Sequence, residues 1–209
     1  MLSIDSVQKI LEFSKGEKAK HPSYSVIQLS ANDHFPQDPA RTLLFALAVI
    51  ASGSIKLTVN SKSYTAQVGQ LIAFPPGSIV SFQATSHDLN FLTLFFDTQF
   101  LSETINESRF FSTLPVFQFG ANPILSLTDT ERATLQALMN TLRLHYQDLA
   151  STHINTVRYI ILAILSDIGY ACATRKKADL QVVPSRATEI ADSYLQLVGQ
   201  YYVTKGSVR

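Results

Sequence analysis

Five histidines are the side chains of this sequence best suited to bind a metal or transfer protons at neutral pH. They are His21, His34, His87, His145 and His153. No two of them stand on one predicted element at metal-site spacing, and no HExxH, GxSxG or phosphate-binding glycine motif occurs. The pattern therefore favours surface histidines over ligands and argues against an enzyme built on these motifs.

Two carboxylates stand together at Asp129 and Glu131, directly after Thr128. Threonine followed three residues later by glutamate is the capping box of a helix N-terminus, where negative charge also suits the helix dipole. A helix start explains both carboxylates without catalysis.

The composition predicts a globular core in a soluble, cytoplasmic protein. The 209 residues are 46% hydrophobic and 16% charged, with a net charge of +1, so neither nucleic acid nor an anionic membrane is attracted by charge alone. The only cysteine is Cys172, which excludes an internal disulfide and fits a reducing compartment. Asp5 and Glu12 interrupt any signal peptide, and the longest apolar run, YIILAIL, is shorter than the roughly 20 residues of a membrane span.

The first half of the chain predicts a short helix and then a small β-barrel or sandwich. Residues 4–14 have helical spacing of apolar residues, and seven or eight short apolar runs follow, separated by turn residues. TVNSKSYT predicts a tight hairpin. In GQLIAFPPG, Pro76 and Gly77 suit the two central positions of a type II turn, and Pro75 ends the preceding strand.

The second half predicts helices. One begins at Thr128, a second spans about 153–171 and a third about 186–201, and CATRKKADLQVVPS predicts a linker between the last two. The apolar face of the second helix is wider than one neighbour requires. Both core packing and pairing between two copies of the chain explain that width.

The stretch from Gly69 to Gly77 resembles the second conserved motif of cupin barrels: a glycine, a strand, and proline-x-glycine. In that family a metal-binding histidine commonly follows, and here its position is Val80. The first cupin motif, counted back from Gly53, places its glutamate at Ala46 and its histidines near Ala40 and Thr42, or Pro39 and Arg41. These residues do not suit a divalent metal. The resemblance therefore implies the barrel, with no metal and no cofactor.

The order of all these features resembles the N-terminal half of AraC-type transcription regulators. The resemblance implies an α+β fold: an N-terminal cupin-like β-barrel (a double-stranded β-helix) followed by an antiparallel helical dimerisation and linker region. The expected boundaries are an N-terminal helix or arm at 1–20, the barrel at 21–120, the helical region at 121–174, and a linker with the first helix of a DNA-binding region at 175–209.

The resemblance implies a non-enzymatic sensor that binds a small effector, forms a homodimer, and reaches DNA only through a helix-turn-helix domain that this chain lacks. We expect the chain to be truncated within that DNA-binding region. The alternatives left open are a metal-free cupin enzyme and a filled barrel that serves as a protein-interaction module.

Strand alternation selects candidate effector-binding residues in the barrel interior. They are Arg41, Phe45, Val80, Phe82, Thr93 and Phe95, with Arg41 as the anchor for an anionic or hydroxylated ligand. Such a predominantly apolar lining favours an apolar ligand over a sugar. The expected dimerisation residues are Leu135, Leu138, Leu142, Ile160, Ile161 and Ile164.

Overall fold

The computed structural model describes residues 2–97, 99–102, 104, 110–111, 113–118, 120–148 and 154–179. Of residues 83–85 and 176–179 it describes the backbone alone. The chain divides into two units, Met1–Cys172 and Ala173–Arg209. The third predicted helix, at about 186–201, lies outside the described residues.

Ten strands and four α-helices make up the described chain. The strands are β1 (Leu2–Ile4), β2 (Tyr24–Ser30), β3 (Ala40–Thr42), β4 (Phe45–Ser52), β5 (Ser54–Val59), β6 (Lys62–Gln67), β7 (Gln70–Phe74), β8 (Ile79–Thr85), β9 (Asn90–Phe96) and β10 (Ile124–Ser126). The helices are α1 (Val7–Lys15), α2 (Gln99–Ser102), α3 (Asp129–Gln147) and α4 (Ile154–Asp179), with a 3-10 turn at Pro115–Phe117.

The strands form two five-stranded sheets. The first sheet has the order β1-β3-β8-β5-β6 and the second has the order β10-β7-β4-β9-β2. All pairings are antiparallel except that of β1 with β3. The predicted α+β fold with a cupin-like barrel is confirmed. Two short strands, β1 and β10, lie in segments where only a helix or arm and a helical region were expected.

The predicted turns position the strands around the barrel. Gly77 has a φ of 90°, and the Ser78 amide donates to the Pro75 carbonyl at 3.3 Å, as in a type II turn. The Gly77 amide also donates to the carbonyl of Thr42 at 2.6 Å, which ties this turn to the end of β3. The TVNSKSYT hairpin is confirmed, with positive φ at both Asn60 and Ser61 between β5 and β6.

Both faces of the second sheet are buried. Its inner face looks towards the first sheet. Its outer face carries Phe45 and Phe96, whose ring centroids are 5.0 Å apart. Phe111 stacks on Phe45 at a centroid distance of 4.3 Å, and the tilted ring of Phe117 lies 4.8 Å from Phe45. This aromatic cluster and the buried face of α3, which contacts β2, β4 and β9, cover the side of the sheet that faces away from the barrel interior.

Helix α3 begins as predicted. The Glu131 amide donates to the Thr128 hydroxyl at 3.2 Å, and the Thr128 amide donates to the Glu131 carboxylate at 2.7 Å. Helix α4 is longer than predicted and continues through residues 172–179, which were assigned to a linker. The helix propensities of Ala, Arg and Lys in that segment favour this continuation.

One helical segment, Ile154–Arg175, is long and apolar enough to cross a membrane, although the longest uninterrupted apolar run in the sequence is short. Length and composition alone give this result, and the core helix of a globular protein passes the same test. Here Val157, Ile161, Ile164, Leu165 and Ile168 are buried against the rest of the first unit.

Candidate ligand-binding cavity

A cavity of about 60 Å³ lies between the two sheets. On the scale where one water molecule needs roughly 10–15 Å³, this is room for several waters or a small organic group. Its walls come from both sheets, from α1, and from the segment between β2 and β3. The lining is almost entirely hydrophobic.

The second sheet supplies half of the wall through strand alternation. Ala46, Thr93 and Phe95 line the cavity. Ala46 is the register partner of Phe95, and Ala48 is the register partner of Thr93, so these side chains share one face of the sheet. The same face adds Leu29 of β2, Ile72 and Phe74 of β7, and Phe91 of β9.

The first sheet supplies the opposite wall. Val80 and Phe82, two residues apart on β8, point to the interior, and Thr42 of β3 and Ile4 of β1 lie beside them. Ile4 and Thr42 are register partners in the parallel pair. Val80 in turn pairs with Ala40, which is fully buried but does not line the cavity.

Helix α1 and the segment before β3 complete the wall, a contribution that sequence reasoning missed. Ile10, Phe13 and Ser14 of α1 line the cavity together with Phe35 and Pro36. The available signal was the apolar spacing on α1, which shows that one face must be covered but not what covers it.

Two sets of contacts hold these added walls in place, one around Asp33 and one around Phe82. The Lys15 ammonium donates to the Asp33 carboxylate at 2.9 Å, and the same carboxylate accepts from the amide and hydroxyl of Ser30 at 2.7 and 2.9 Å. The Phe82 amide donates to the Pro36 carbonyl at 2.8 Å, and the rings of Phe35 and Phe82 lie 5.5 Å apart. Helix α1 and the segment carrying Phe35 are thereby tied to the sheets.

The environment of Asp33 favours its charged form. Burial opposes ionisation, but the hydrogen bonds from Lys15 and Ser30 outweigh it, so the pKa of Asp33 lies below its ordinary value. The carboxylate is therefore charged at neutral pH and keeps its contact with Lys15.

Polar groups are few in the cavity. Among the described residues no charged side chain lines it, and the polar side chains are Ser14, Thr42 and Thr93. The Thr42 hydroxyl is engaged with the backbone of Leu44 at 3.2 Å. The Thr93 hydroxyl is buried and has no hydrogen-bond partner in the described chain. A buried hydroxyl without a partner costs about 1–3 kcal/mol of stability. Because the Thr93 hydroxyl lies unpaired in the cavity wall, it is available to a ligand.

Four of the six expected interior residues, Val80, Phe82, Thr93 and Phe95, line the cavity. Arg41 does not: it is exposed on β3, opposite Ile79, because its neighbours Ala40 and Thr42 take the inward positions. Its expected role as an interior anchor therefore has no structural basis.

Phe45 is the second residue that lies elsewhere. It pairs with Phe96 on the outer face of the second sheet, and its neighbour Ala46 takes the inner position opposite Phe95. The expected placement was off by one residue on this strand, which moves a side chain to the opposite face.

Four of the six expected dimerisation residues are buried inside this chain. Leu135, Leu142, Ile161 and Ile164 are at most 2% exposed, whereas Leu138 and Ile160 are partly buried. The four pack in the core of their own unit and present no surface to a second copy. The exposed large apolar residues on the two helices are instead Leu144, Tyr159 and Tyr170.

Three of the positions that the cupin resemblance assigns to metal ligands line this cavity. Thr42, Ala46 and Val80 come from three different strands and all line it. Alanine and valine offer no lone pair to a metal, and the Thr42 hydroxyl is bound to the backbone. In the described part of the chain no three His, Cys, Asp or Glu side chains lie together. The residues present suit an organic molecule better than a cation.

Two sheets around an apolar cavity define a cupin-like binding barrel. The sequence matches the AraC-like ligand binding domain family over residues 21–155, well over half of the chain. The chain belongs to this family. Most of the residues that line the cavity lie within the matched region, and those of β1 and α1 precede it. No curated protein matches the sequence.

Solved structures with similar folds include ToxT from Vibrio cholerae, at 11% identity and a TM-score of 0.43, covering 91% of this chain and 78% of ToxT. The cupin domain of Cnp3 from Schizosaccharomyces pombe gives 17% identity and a TM-score of 0.32, covering 40% of this chain. Oxalate decarboxylase from Bacillus subtilis gives 22% identity and a TM-score of 0.28, covering 36% of this chain. The chain spans 62% of the Cnp3 structure and 21% of the decarboxylase. Likenesses at this level carry no information on ligand or reaction.

Proposed function

We propose that this chain is the effector-sensing and dimerisation domain of a cytoplasmic AraC-type transcription regulator, and that it is not an enzyme. The observation that carries the proposal is the apolar cavity inside the family-matched barrel, with non-ligating residues at the former metal positions. In this proposal DNA is contacted by a helix-turn-helix domain outside the chain. Effector occupancy changes how the dimer presents that domain.

The second sheet is the proposed connection between effector and helices. Its inner face lines the cavity, and its outer face packs against the aromatic cluster and α3. A ligand that moves the strands therefore also moves α3. The proposed boundaries remain an arm at 1–20, a barrel at 21–120 and a helical region at 121–174, with the DNA-binding region beginning in 175–209.

The proposed dimer uses the exposed side of α4 instead of the buried residues named from sequence. Tyr159 and Tyr170 are 62% and 72% exposed and eleven residues apart, which places them on one side of the helix. The small exposed residues Ala163 and Ser166 lie between them on the same side. Large exposed aromatic residues beside small ones suit close packing against another helix.

The test of the proposed function is the thermal unfolding of the chain with a library of small organic compounds and with divalent metal ions. We expect an organic compound at about a hundred times its Kd to raise the Tm by about 5–10 °C, and metal ions to leave it unchanged. Stabilisation by a metal ion would favour the enzyme alternative. Stabilisation by nothing would favour a filled interaction module.

A further inference from the structure

The Thr93 hydroxyl is the one side-chain polar group of the described cavity wall that is completely buried and has no hydrogen-bond partner. Thr93 is 2% exposed, lines the cavity, and pairs with Ala48 and Ile27 on the neighbouring strands. Its oxygen finds no hydrogen-bond partner among the described residues. Buried hydroxyls are normally paired, so an unpaired one in a cavity wall indicates a position for a ligand atom.

Ser25 provides an internal comparison. Its hydroxyl is also buried and unpaired within the described chain, and it lies on the same face of the second sheet, opposite Phe95. However, Ser25 does not line the cavity. The two hydroxyls therefore share burial and chemistry and differ in their access to a ligand.

The charges of the wall exclude an ionic ligand. No Lys, Arg, His, Asp or Glu lines the cavity within the described ranges. The charged groups beside α1, Lys15 and Asp33, are paired with each other. An ionised carboxylate or amine in this cavity would lose its water and gain no opposite charge.

The small number of available polar groups excludes a polyol. The Thr42 hydroxyl is held by the Leu44 backbone, which leaves the hydroxyls of Ser14 and Thr93, and of these two Thr93 is the one that is completely buried and unpaired. A sugar would bury several hydroxyls against hydrophobic walls without partners.

We infer that the effector is a small, neutral, mostly apolar molecule with one hydrogen-bonding group, such as an alcohol, ketone or ester, and that the Thr93 hydroxyl pairs with that group. The inference rests on the proposed function, since it names the ligand class of the same cavity. The cavity volume of about 60 Å³ is below the roughly 150 Å³ that holds benzene in a known apolar cavity, so a ligand larger than a few heavy atoms moves the wall. Phe13 of α1, which is 39% exposed, is the wall residue with the most room to move.

Four five-carbon probes test this inference: 1-pentanol, pentanoate, xylitol and pentane, each titrated into the whole chain and followed by NMR chemical shifts. We expect 1-pentanol and pentane to bind with shifts at cavity residues, and pentanoate and xylitol to leave those residues unchanged. In Thr93→Val we expect the affinity for 1-pentanol to fall about three- to tenfold, as for one lost hydrogen bond, with no change for pentane. Ser25→Ala should leave both affinities unchanged.

Preferential binding of pentanoate or xylitol in the cavity would overturn the inferred ligand class and leave the sensor function standing. An equal loss of 1-pentanol affinity in both variants, or none in Thr93→Val, would overturn the role of Thr93. If none of the four probes shifts a cavity residue, the inference fails. If, in addition, no library compound stabilises the chain, the proposed sensor function fails with it.

Discussion

At the residue scale, Gly53 allows the turn between β4 and β5 to approach the loop that follows β8. Gly53 has a φ of 73°, and a Cβ added there would lie 2.7 Å from the Cα and 2.8 Å from the amide nitrogen of Leu89. Backbone atoms cannot rotate away from such a contact. Gly69 has a similar φ of 83°, but nothing lies within 4 Å of an added Cβ. Gly53 and Gly69 therefore share the left-handed backbone conformation, and only Gly53 adds a steric clash with an added Cβ.

We expect Gly69→Ala to lower the free energy of unfolding by about 1–2 kcal/mol, the cost of a left-handed conformation for an L-residue. Gly53→Ala should lose a further ~1–3 kcal/mol because it adds an overpacked contact to the same strain. Urea unfolding of both variants and the parent chain measures the difference. An equal loss of unfolding free energy in the two variants would show that the backbone at Leu89 shifts to accommodate the added methyl group without cost.

At the element scale, α1 is a wall of the cavity that buries its apolar face in the core and is also tied at its C-terminal end by a partly buried ion pair. The Lys15–Asp33 pair is partly buried, with side chains 24% and 14% exposed. A second ion pair joins Lys9 of the same helix to Asp5, which precedes the helix, and is solvent-exposed. Exposed pairs contribute little to stability, whereas a carboxylate held by several donors contributes more.

We expect Asp33→Asn to speed hydrogen exchange of the α1 amides by about ten- to a hundredfold, while Asp5→Asn leaves their exchange nearly unchanged. The folded pKa of Asp33 is lowered, so its stabilising contribution is present above the unfolded pKa of about 3.9 and is lost as the pH falls through the folded value. The difference between the parent chain and Asp33→Asn should therefore shrink below about pH 4. Equal exchange rates at pH 7 would mean that apolar packing alone holds α1.

At the scale of the whole molecule, the apolar residues of the two long helices divide into a buried set and an exposed set. Leu135, Leu142, Ile161 and Ile164 are buried in the hydrophobic core of their own chain. In the proposed dimer, the second copy packs on the exposed side of α4. Under this proposal assembly and folding depend on different residues, and a substitution can affect one without the other.

We expect Tyr159→Glu to convert the proposed dimer to a monomer with little change in Tm, because Tyr159 is 62% exposed in the single chain. The control is Val68→Glu, an exposed apolar residue in the barrel turn before β7, which should remain dimeric. Sedimentation equilibrium at several concentrations measures the oligomeric state. A dimer that survives Tyr159→Glu would exclude this side of α4 as its interface.

Local sequence signals predicted the parts of the fold that depend on local chemistry. The turn at Pro76 and Gly77, the hairpin at Asn60 and the capping box at Thr128 depend on neighbouring residues alone, and the structure confirms them. Alternation from Val80 also identified interior residues on the same strand.

What the sequence could not predict depends on which strands and helices meet. The register between β4 and β9, which places Ala46 inside and Phe45 outside, shifts between Ile50 and Ser52, and no local pattern shows that shift. An apolar helix face requires a covering surface, but its composition does not distinguish the barrel of the same chain from a second copy. For this reason the sequence did not show which apolar residues of α3 and α4 would be buried in their own chain.

The two buried faces of the second sheet have a consequence for how far a signal must travel. On β9, Phe95 touches the cavity and the next residue, Phe96, stacks in the aromatic cluster under the helices. On β4, Ala46 and Phe45 stand in the same relation. Adjacent Cα atoms are about 3.8 Å apart, so the ligand side and the helix side are separated by a single peptide unit. In the proposed sensor, a signal from the ligand to the helix side needs no relay of intermediate residues, because each strand alone separates the cavity from the aromatic cluster.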